Sequence, residues 1–155
     1  MSDAVYSHLL KRVRESLPLM GGLDYHLRTI IRELNSMGLL TASSCSGLRR
    51  DHIKRYIDTN IDARVPSVSI CVPRDSLFRM LYLLRQHLYG TGWRVRILSS
   101  TGVFSVDGVR VLYPMLKIYY PVKRNDSYYI MAWEVLLKRL NRINFFSLFS
   151  YISPV

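Results

Sequence analysis

Apolar side chains recur at helical spacing in four segments of the chain, and each segment predicts an amphipathic helix. In the first, the apolar residues Val5, Leu9, Val13 and Leu17 are four positions apart, and Pro18 ends the pattern. In the second, Asp24 is a suitable N-cap and Gly38 stands at the C′ position. The short polar segment 51–58 is a further helical candidate. The four helices are expected at 4–17, 24–37, 75–88 and 127–142.

Alternation of apolar and polar residues predicts strands between these helices. Asp107 and Gly108 indicate a hairpin, because both positions of such a turn tolerate positive φ. Arg94 and Arg96 alternate with apolar residues, so one face of their strand is expected to be exposed. Strands are expected at 39–44, 66–72, 93–99, 103–106 and 109–120.

The grouping of helices and strands in blocks favours an α+β fold over a doubly wound sheet. We expect one domain over residues 1–142, with a mixed, mostly antiparallel sheet that curls toward a half-barrel and has helices packed on one side. Residues 143–155 form an uncharged aromatic C-terminal tail. Such a tail is expected either to pack on the domain or to cover a partner, in which case it could make an oligomer.

Composition narrows the class of protein. The chain has 155 residues, of which 49% are hydrophobic and 21% charged, as in an ordinary globular domain. Two cysteines, Cys45 and Cys71, exclude a disulfide-dense secreted scaffold and a zinc site of four thiolates. No apolar run reaches the roughly 18 residues of a membrane span, and no signal peptide is evident. A soluble, cytoplasmic protein with no membrane partner is expected.

The charge balance points to a polyanionic partner. The chain carries 22 Lys and Arg against 11 Asp and Glu, which gives a formal net charge of +11. Arginine accounts for 17 of the 22, and the planar guanidinium group suits phosphate oxygens and stacks on bases. Nucleic acid is therefore the expected partner, and the alternatives are a merely solubilising surface or the arginine-rich composition of a thermophile. The arginines of 93–97 fit either an RNA-facing sheet or a solvated face.

Several common kinds of catalytic site are absent from the sequence. Neither a P-loop nor a GxGxxG motif is present, so a Rossmann-type nucleotide site is not expected. The four histidines are scattered and none stands at metal-ligand spacing, so no metal is expected. Three glutamates, all in predicted helices, argue against a hydrolase with paired carboxylates.

The segment 41–52, TASSCSGLRRDH, concentrates the remaining candidate chemistry. Short hydroxyl side chains beside a glycine can present backbone N–H groups to an anion or to the polar edge of a ligand. The alternative is a structural serine-rich turn with a buried cysteine. Cys45 is a weak candidate nucleophile, with Asp51 and His52 as nearby weak candidates for catalysis. The predicted ligand or cofactor pocket is formed by Ser43, Ser44, Cys45, Ser46 and Gly47.

A cationic edge is predicted directly after this segment. If 51–58 is helical, Arg50, Lys54 and Arg55 share one face, and Arg49 lies beside them. These four residues are the predicted RNA contacts. A solvated charge cluster, partly neutralised by neighbouring aspartates, is the alternative.

The stretch LDYHLRTIIRELNSMGLLTASSCSG resembles the archaeal and eukaryotic tRNA wybutosine-synthesizing protein 3 family. Asp24, Asn35, Thr41 and the SSCSG core of residues 43–47 carry this resemblance, which extends over roughly residues 9–120. The resemblance implies an S-adenosylmethionine-dependent methyltransferase that modifies a tricyclic guanosine beside the anticodon of phenylalanine tRNA. It also implies that the SSCSG segment lines the pocket.

The sequence also departs from the family. Leu48 stands where the family has arginine, and the later His-Glu and Lys-x-Glu-Pro segments of the family are not found. Two other functions therefore stay open. One is a non-catalytic, basic RNA-binding module on the same scaffold, and the other is an assembly or interaction subunit.

Overall fold

The computed structural model describes residues 3–16, 25–48 and 65–148. Its helices are α1 (Asp3–Ser16), α2 (Tyr25–Ser36), α3 (Leu77–Leu88), α4 (Asp126–Leu140) and the short α5 (Phe145–Leu148). Its strands are β1 (Leu40–Cys45), β2 (Ser67–Cys71), β3 (Arg94–Val106) and β4 (Val109–Tyr119). A 3-10 turn, Arg74–Ser76, leads into α3. All four principal helices occur close to their predicted bounds, and the candidate helix 51–58 lies outside the described residues.

The sheet confirms the α+β class. Its four strands lie in the order β1-β2-β4-β3 and pair antiparallel, so the sheet is open with β1 and β3 at its edges. The strands expected separately at 93–99 and 103–106 are one strand, β3. Its register with β4 is irregular between Ile97 and Thr101, after which pairing with the continuous strand β4 resumes.

The β3–β4 hairpin turns at Asp107 and Gly108, as predicted. Both residues have positive φ, 52° and 78°, which matches the twist of a two-residue hairpin turn. This hairpin brings the basic residues of β3 alongside the aromatic end of β4.

Helix α1 packs on one face of the sheet, where its Tyr6 ring lies edge-on to Tyr113 of β4. The main core lies between the other face and helices α2, α3 and α4. Val68 and Ile70 of β2 and Leu116 and Ile118 of β4 are completely buried on this face. The helices α2, α3 and α4 contribute Leu34, Leu84 and Leu136 to the same core. The opposite face at the Tyr119 end of the sheet is thereby left for other contacts.

Two terminal segments complete the domain. The Tyr6 hydroxyl of α1 donates to the Cys71 carbonyl at 2.7 Å and accepts from the Leu40 N–H, so it joins β1 to β2. Within the uncharged segment after residue 142, Phe145 is buried, and the Phe146 ring lies 3.2 Å from the position a Gly38 Cβ would take. The first part of the predicted tail therefore packs on the domain. None of the described helices has both the length and the apolar character to cross a bilayer.

Candidate nucleic-acid interface

The strand register gathers basic and aromatic side chains on one face of the sheet. Tyr119 of β4 lies opposite Arg94 of β3, and Lys117 lies opposite Arg96. Because side chains alternate along a strand and the intervening Ile118 is buried in the core, these four residues project from the other face. We call this surface the polar face.

The same two rows continue across β2 to β1. One row runs Cys45–Ser67–Tyr119–Arg94 and the other runs Ser43–Ser69–Lys117–Arg96. Ser43 and Cys45, two of the predicted pocket residues, thus share the polar face with the arginines, about 14 Å away across three strand spacings. Ser44, opposite Val68, is directed to the core side.

The rest of the predicted pocket segment has structural roles. Ser46 is 1% exposed, its carbonyl accepts from Trp133 Nε1 at 2.9 Å, and its hydroxyl accepts from the Leu48 N–H. Gly47 has φ +74°, and a Cβ there would lie 2.6 Å from Cγ of Pro66. These contacts fasten the end of β1 to α4 and to the start of β2. Only residues 43–45 of the five reach the surface.

The other sequence-based site candidates stay predictions. Arg49, Arg50, Lys54 and Arg55, the predicted RNA edge, lie outside the described residues, as do Asp51 and His52. Cys45 is half-buried at the end of β1. Within the described part of the chain, no three His, Cys, Asp or Glu side chains gather to hold a metal ion.

A cleft at the edge of β3 adjoins the polar face. Its volume is about 570 Å³, and its lining includes Arg94, Arg96 and Tyr119 from the sheet together with Arg85 and Tyr89 from the end of α3. Neither this cleft nor the cavity described below is lined by residues 43–47. The pocket predicted from the SSCSG segment therefore stays a prediction.

The side chains of the cleft are held in place by specific contacts. The Arg85 guanidinium donates two hydrogen bonds, of 3.2 and 3.1 Å, to the Val95 carbonyl on the outer edge of β3. The Arg96 guanidinium lies 5.6 Å from the centroid of the Tyr119 ring, within cation–π range. Arg94 and Arg96 are exposed, so their donors face solvent.

The lining of the cleft is positively charged. Arg85, Arg94 and Arg96 belong to it, and none of the described residues that line it is acidic. Guanidinium groups beside exposed aromatic rings bind phosphates and stack on bases. The cleft therefore combines side chains that suit a ligand with both anionic and flat aromatic groups.

A second cavity, of about 590 Å³, has a different character. It lies between the end of α2 and the α4–α5 connection, where Glu33 and Arg142 bring opposite charges to its wall. Its slightly larger volume does not make it the better RNA site, because a phosphate there would meet a carboxylate as well as a cation.

An aromatic cluster supports the floor of the cleft. Trp93 packs on Trp133 at 4.9 Å between centroids and edge-on to Tyr120 at 5.6 Å. The Tyr120 hydroxyl donates to Tyr128 Oη at 3.0 Å. That hydrogen bond and the neighbouring Arg124 lower the pKa of Tyr128, whereas burial and the shared bond raise the pKa of Tyr120.

The second cysteine is chemically inert by comparison. Cys71 is buried, and burial raises the pKa of its thiol to about 12. Because the thiolate is the nucleophile, burial of Cys71 disfavours nucleophilic chemistry at this thiol.

One more buried polar contact involves residues of the family resemblance. Asn35 is fully buried, and its Oδ1 accepts from the Thr41 hydroxyl at 3.2 Å, which ties α2 to β1. Its Nδ2 is buried without a hydrogen-bond partner in the structure. The Asn35–Thr41 spacing therefore has a structural explanation.

Three members of the cleft were not singled out from the sequence as site residues: Arg85, Tyr89 and Tyr119. The alternation around Arg94 and Arg96 was a signal for the polar face, but nothing in the sequence indicates which tyrosine lies opposite them.

The chain was compared with models of known families, with curated proteins and with solved structures. It matches none of them.

Proposed function

We propose that this protein binds RNA, with tRNA as its natural class of ligand, through the polar face and the adjoining cleft. The observation that supports this most is the placement of Arg94, Arg96 and Tyr119 together on the surface of the sheet. Two exposed guanidinium groups beside a half-buried aromatic ring match the alternation of phosphate and base along an RNA strand.

Each part of the surface has a distinct task in this proposal. Arg94, Arg96 and Lys117 bind phosphate oxygens, which supplies most of the affinity and makes it dependent on salt. Tyr119 and the exposed Tyr89 stack on unpaired bases. The hydroxyls of the exposed Ser43 and the half-buried Ser67 accept or donate hydrogen bonds to sugar or base edges, whereas Ser69 is buried and takes no part. A cytoplasmic location is part of the proposal, because tRNA is modified and used there.

The proposal is tested by measuring tRNA affinity across a salt series. The variant Arg94→Ala/Arg96→Ala removes two phosphate contacts and should lower the slope of log K against log salt by about 1.4–1.8. The matched control is Arg32→Ala/Arg110→Ala, which loses the same charge from exposed sites on α2 and on the hairpin tip. Equal slopes for the two variants would show that the polar face makes no phosphate contacts.

Methyl transfer to the bound tRNA is a second proposal, which rests on the family resemblance. It is favoured by the position of Ser43 and Cys45, at the end of the rows that carry Arg96 and Arg94. S-adenosylmethionine would supply the methyl group. The buried Ser46–Gly47 segment does not itself provide a cradle for this donor, since its Pro66 and Trp133 contacts already fill it. Calorimetry with S-adenosylmethionine, with and without tRNA, tests this proposal, and absence of binding in both would remove it.

A further inference from the structure

Helix α3 and Tyr89, the residue directly after it, carry a row of large aromatic side chains that face solvent. Phe78, Tyr82 and Tyr89 are 73%, 67% and 85% exposed. Steps of four and seven residues place them, with Arg85 between the last two, on one stripe about 16 Å long. We call Phe78, Tyr82, Arg85 and Tyr89 the aromatic ridge.

The fold does not need these rings. The buried face of α3 is formed by Met80, Leu84 and Leu88. A row of exposed rings along one stripe of a helix is unusual, because large apolar surfaces in contiguous patches mark interaction sites. The Tyr82 hydroxyl accepts a hydrogen bond of 3.2 Å from Gln86 Nε2, which orients the ring.

The charge around the ridge favours a polyanion over a protein as its occupant. Arg74 and Arg79 are exposed beside it, and Arg85 belongs to it. The only acidic neighbour on this part of the chain is Asp75, and none follows until Asp107. Aromatic rings among arginines are the surface on which unpaired bases stack while their phosphates are neutralised.

The ridge is continuous with the cleft. Arg85 and Tyr89 belong to the ridge and also line the cleft beside Arg94 and Tyr119. The two hydrogen bonds from Arg85 to the Val95 carbonyl fix the end of α3 against the edge of β3. A strand leaving the polar face through the cleft would therefore meet the rings of α3 next.

We propose that the aromatic ridge binds a single-stranded extension of the same RNA, with bases stacked on Phe78 and Tyr82. This inference rests on the proposed function, because it assigns the cleft and the ridge to one ligand. It adds a requirement that the sheet alone does not impose: the RNA must have unpaired nucleotides on the β3 side of the cleft.

The test compares the affinities of a short and a long single-stranded RNA of the same composition, of about five and twelve nucleotides. Phe78→Ala/Tyr82→Ala should weaken binding of the long strand about tenfold or more, with an unchanged affinity for the short strand and an unchanged salt slope. Phe78→Trp should retain the affinity for the long strand. The control Met131→Ala/Val135→Ala removes exposed apolar side chains from α4 and should change neither affinity. Circular dichroism checks that each variant folds.

The outcomes separate this inference from the proposed function. Full affinity of the ridge variant for the long strand, or equal weakening for both strands, would overturn the ridge while leaving the sheet as the RNA site. Failure of the unsubstituted protein to bind either strand would overturn the proposed function. Concentration-dependent self-association that disappears in the ridge variant would show that a second copy of the chain, and not RNA, covers the rings.

Discussion

Arg96 lies diagonally across from Tyr119 on neighbouring strands, with its guanidinium carbon 5.6 Å from the ring centroid. The cation thus rests on one side of an aromatic ring at the wall of the cleft. A base that stacks on this ring brings its phosphate within reach of Arg94 or Arg96. Stacking and phosphate binding are therefore coupled at this position.

The ring of Tyr119, and not its hydroxyl, should carry this contribution. Tyr119→Ala should weaken binding of single-stranded RNA by about 1–3 kcal/mol, whereas Tyr119→Phe should bind almost as tightly as the unsubstituted protein. The salt slope should be the same in both, because no phosphate contact is removed. Fluorescence anisotropy measures both quantities, and an equal loss in the two variants would contradict stacking.

Gly47 should be required for stability. Gly47→Ala places a Cβ against Pro66 at φ +74°, so the left-handed conformation costs about 1–2 kcal/mol and the overlap adds about 1–3 kcal/mol. Gly108→Ala is the matched control, since Gly108 has φ +78° and no atom within 4 Å of an added Cβ. Urea denaturation should show a clearly larger loss for Gly47→Ala. Equal losses would mean that the Pro66 contact is unimportant.

The two cysteines should differ sharply in reactivity. With a thiol pKa of about 12, Cys71 is roughly one part in ten thousand thiolate at pH 8, and it is also buried. Iodoacetamide should therefore alkylate Cys45 in the folded protein and Cys71 only after denaturation, as followed by mass spectrometry. The Cys45→Ser variant should show no labelling before unfolding. Rapid labelling of Cys71 in the folded protein would contradict the packing of β2.

Tyr128 should ionise at a lower pH than an ordinary tyrosine. The hydrogen bond from Tyr120 and the charge of Arg124 stabilise its phenolate, so its pKa lies below the ordinary value of about 10. Ultraviolet absorbance of tyrosinate should begin to rise earlier in the unsubstituted protein than in Tyr128→Phe. Superimposable titrations would show that the Tyr120–Tyr128 contact does not persist in solution.

Local patterns in the sequence predicted the elements of this fold but not how they meet. Helical periodicity predicted the four principal helices, and Asp107-Gly108 predicted the hairpin. The break expected between residues 99 and 103 was wrong because β3 pairs with the continuous strand β4 on both sides of the irregularity. Which residue of β4 stands opposite Arg94 depends on register, which no local pattern specifies.

The candidate site shows the same difference. The exposed face around Arg94 and Arg96 was predicted from the strand alternation, which left open whether this face contacts RNA or only solvent. Arg85, Tyr89 and Tyr119 come from other elements and reach the cleft only through tertiary packing. Gly47 was predicted to line a ligand pocket. In the structure its backbone instead packs against Pro66, 19 positions away in the chain.

The most direct measurement is photocrosslinking of tRNA or single-stranded RNA containing 4-thiouridine, followed by mass spectrometry of the crosslinked peptides. The account predicts crosslinks to the peptides that contain Tyr89 and Tyr119, and their loss in the Arg94→Ala/Arg96→Ala variant. Crosslinks confined to residues 49–64, with none on β3, β4 or α3, would contradict it and would favour the predicted edge of Arg49, Arg50, Lys54 and Arg55 as the RNA site.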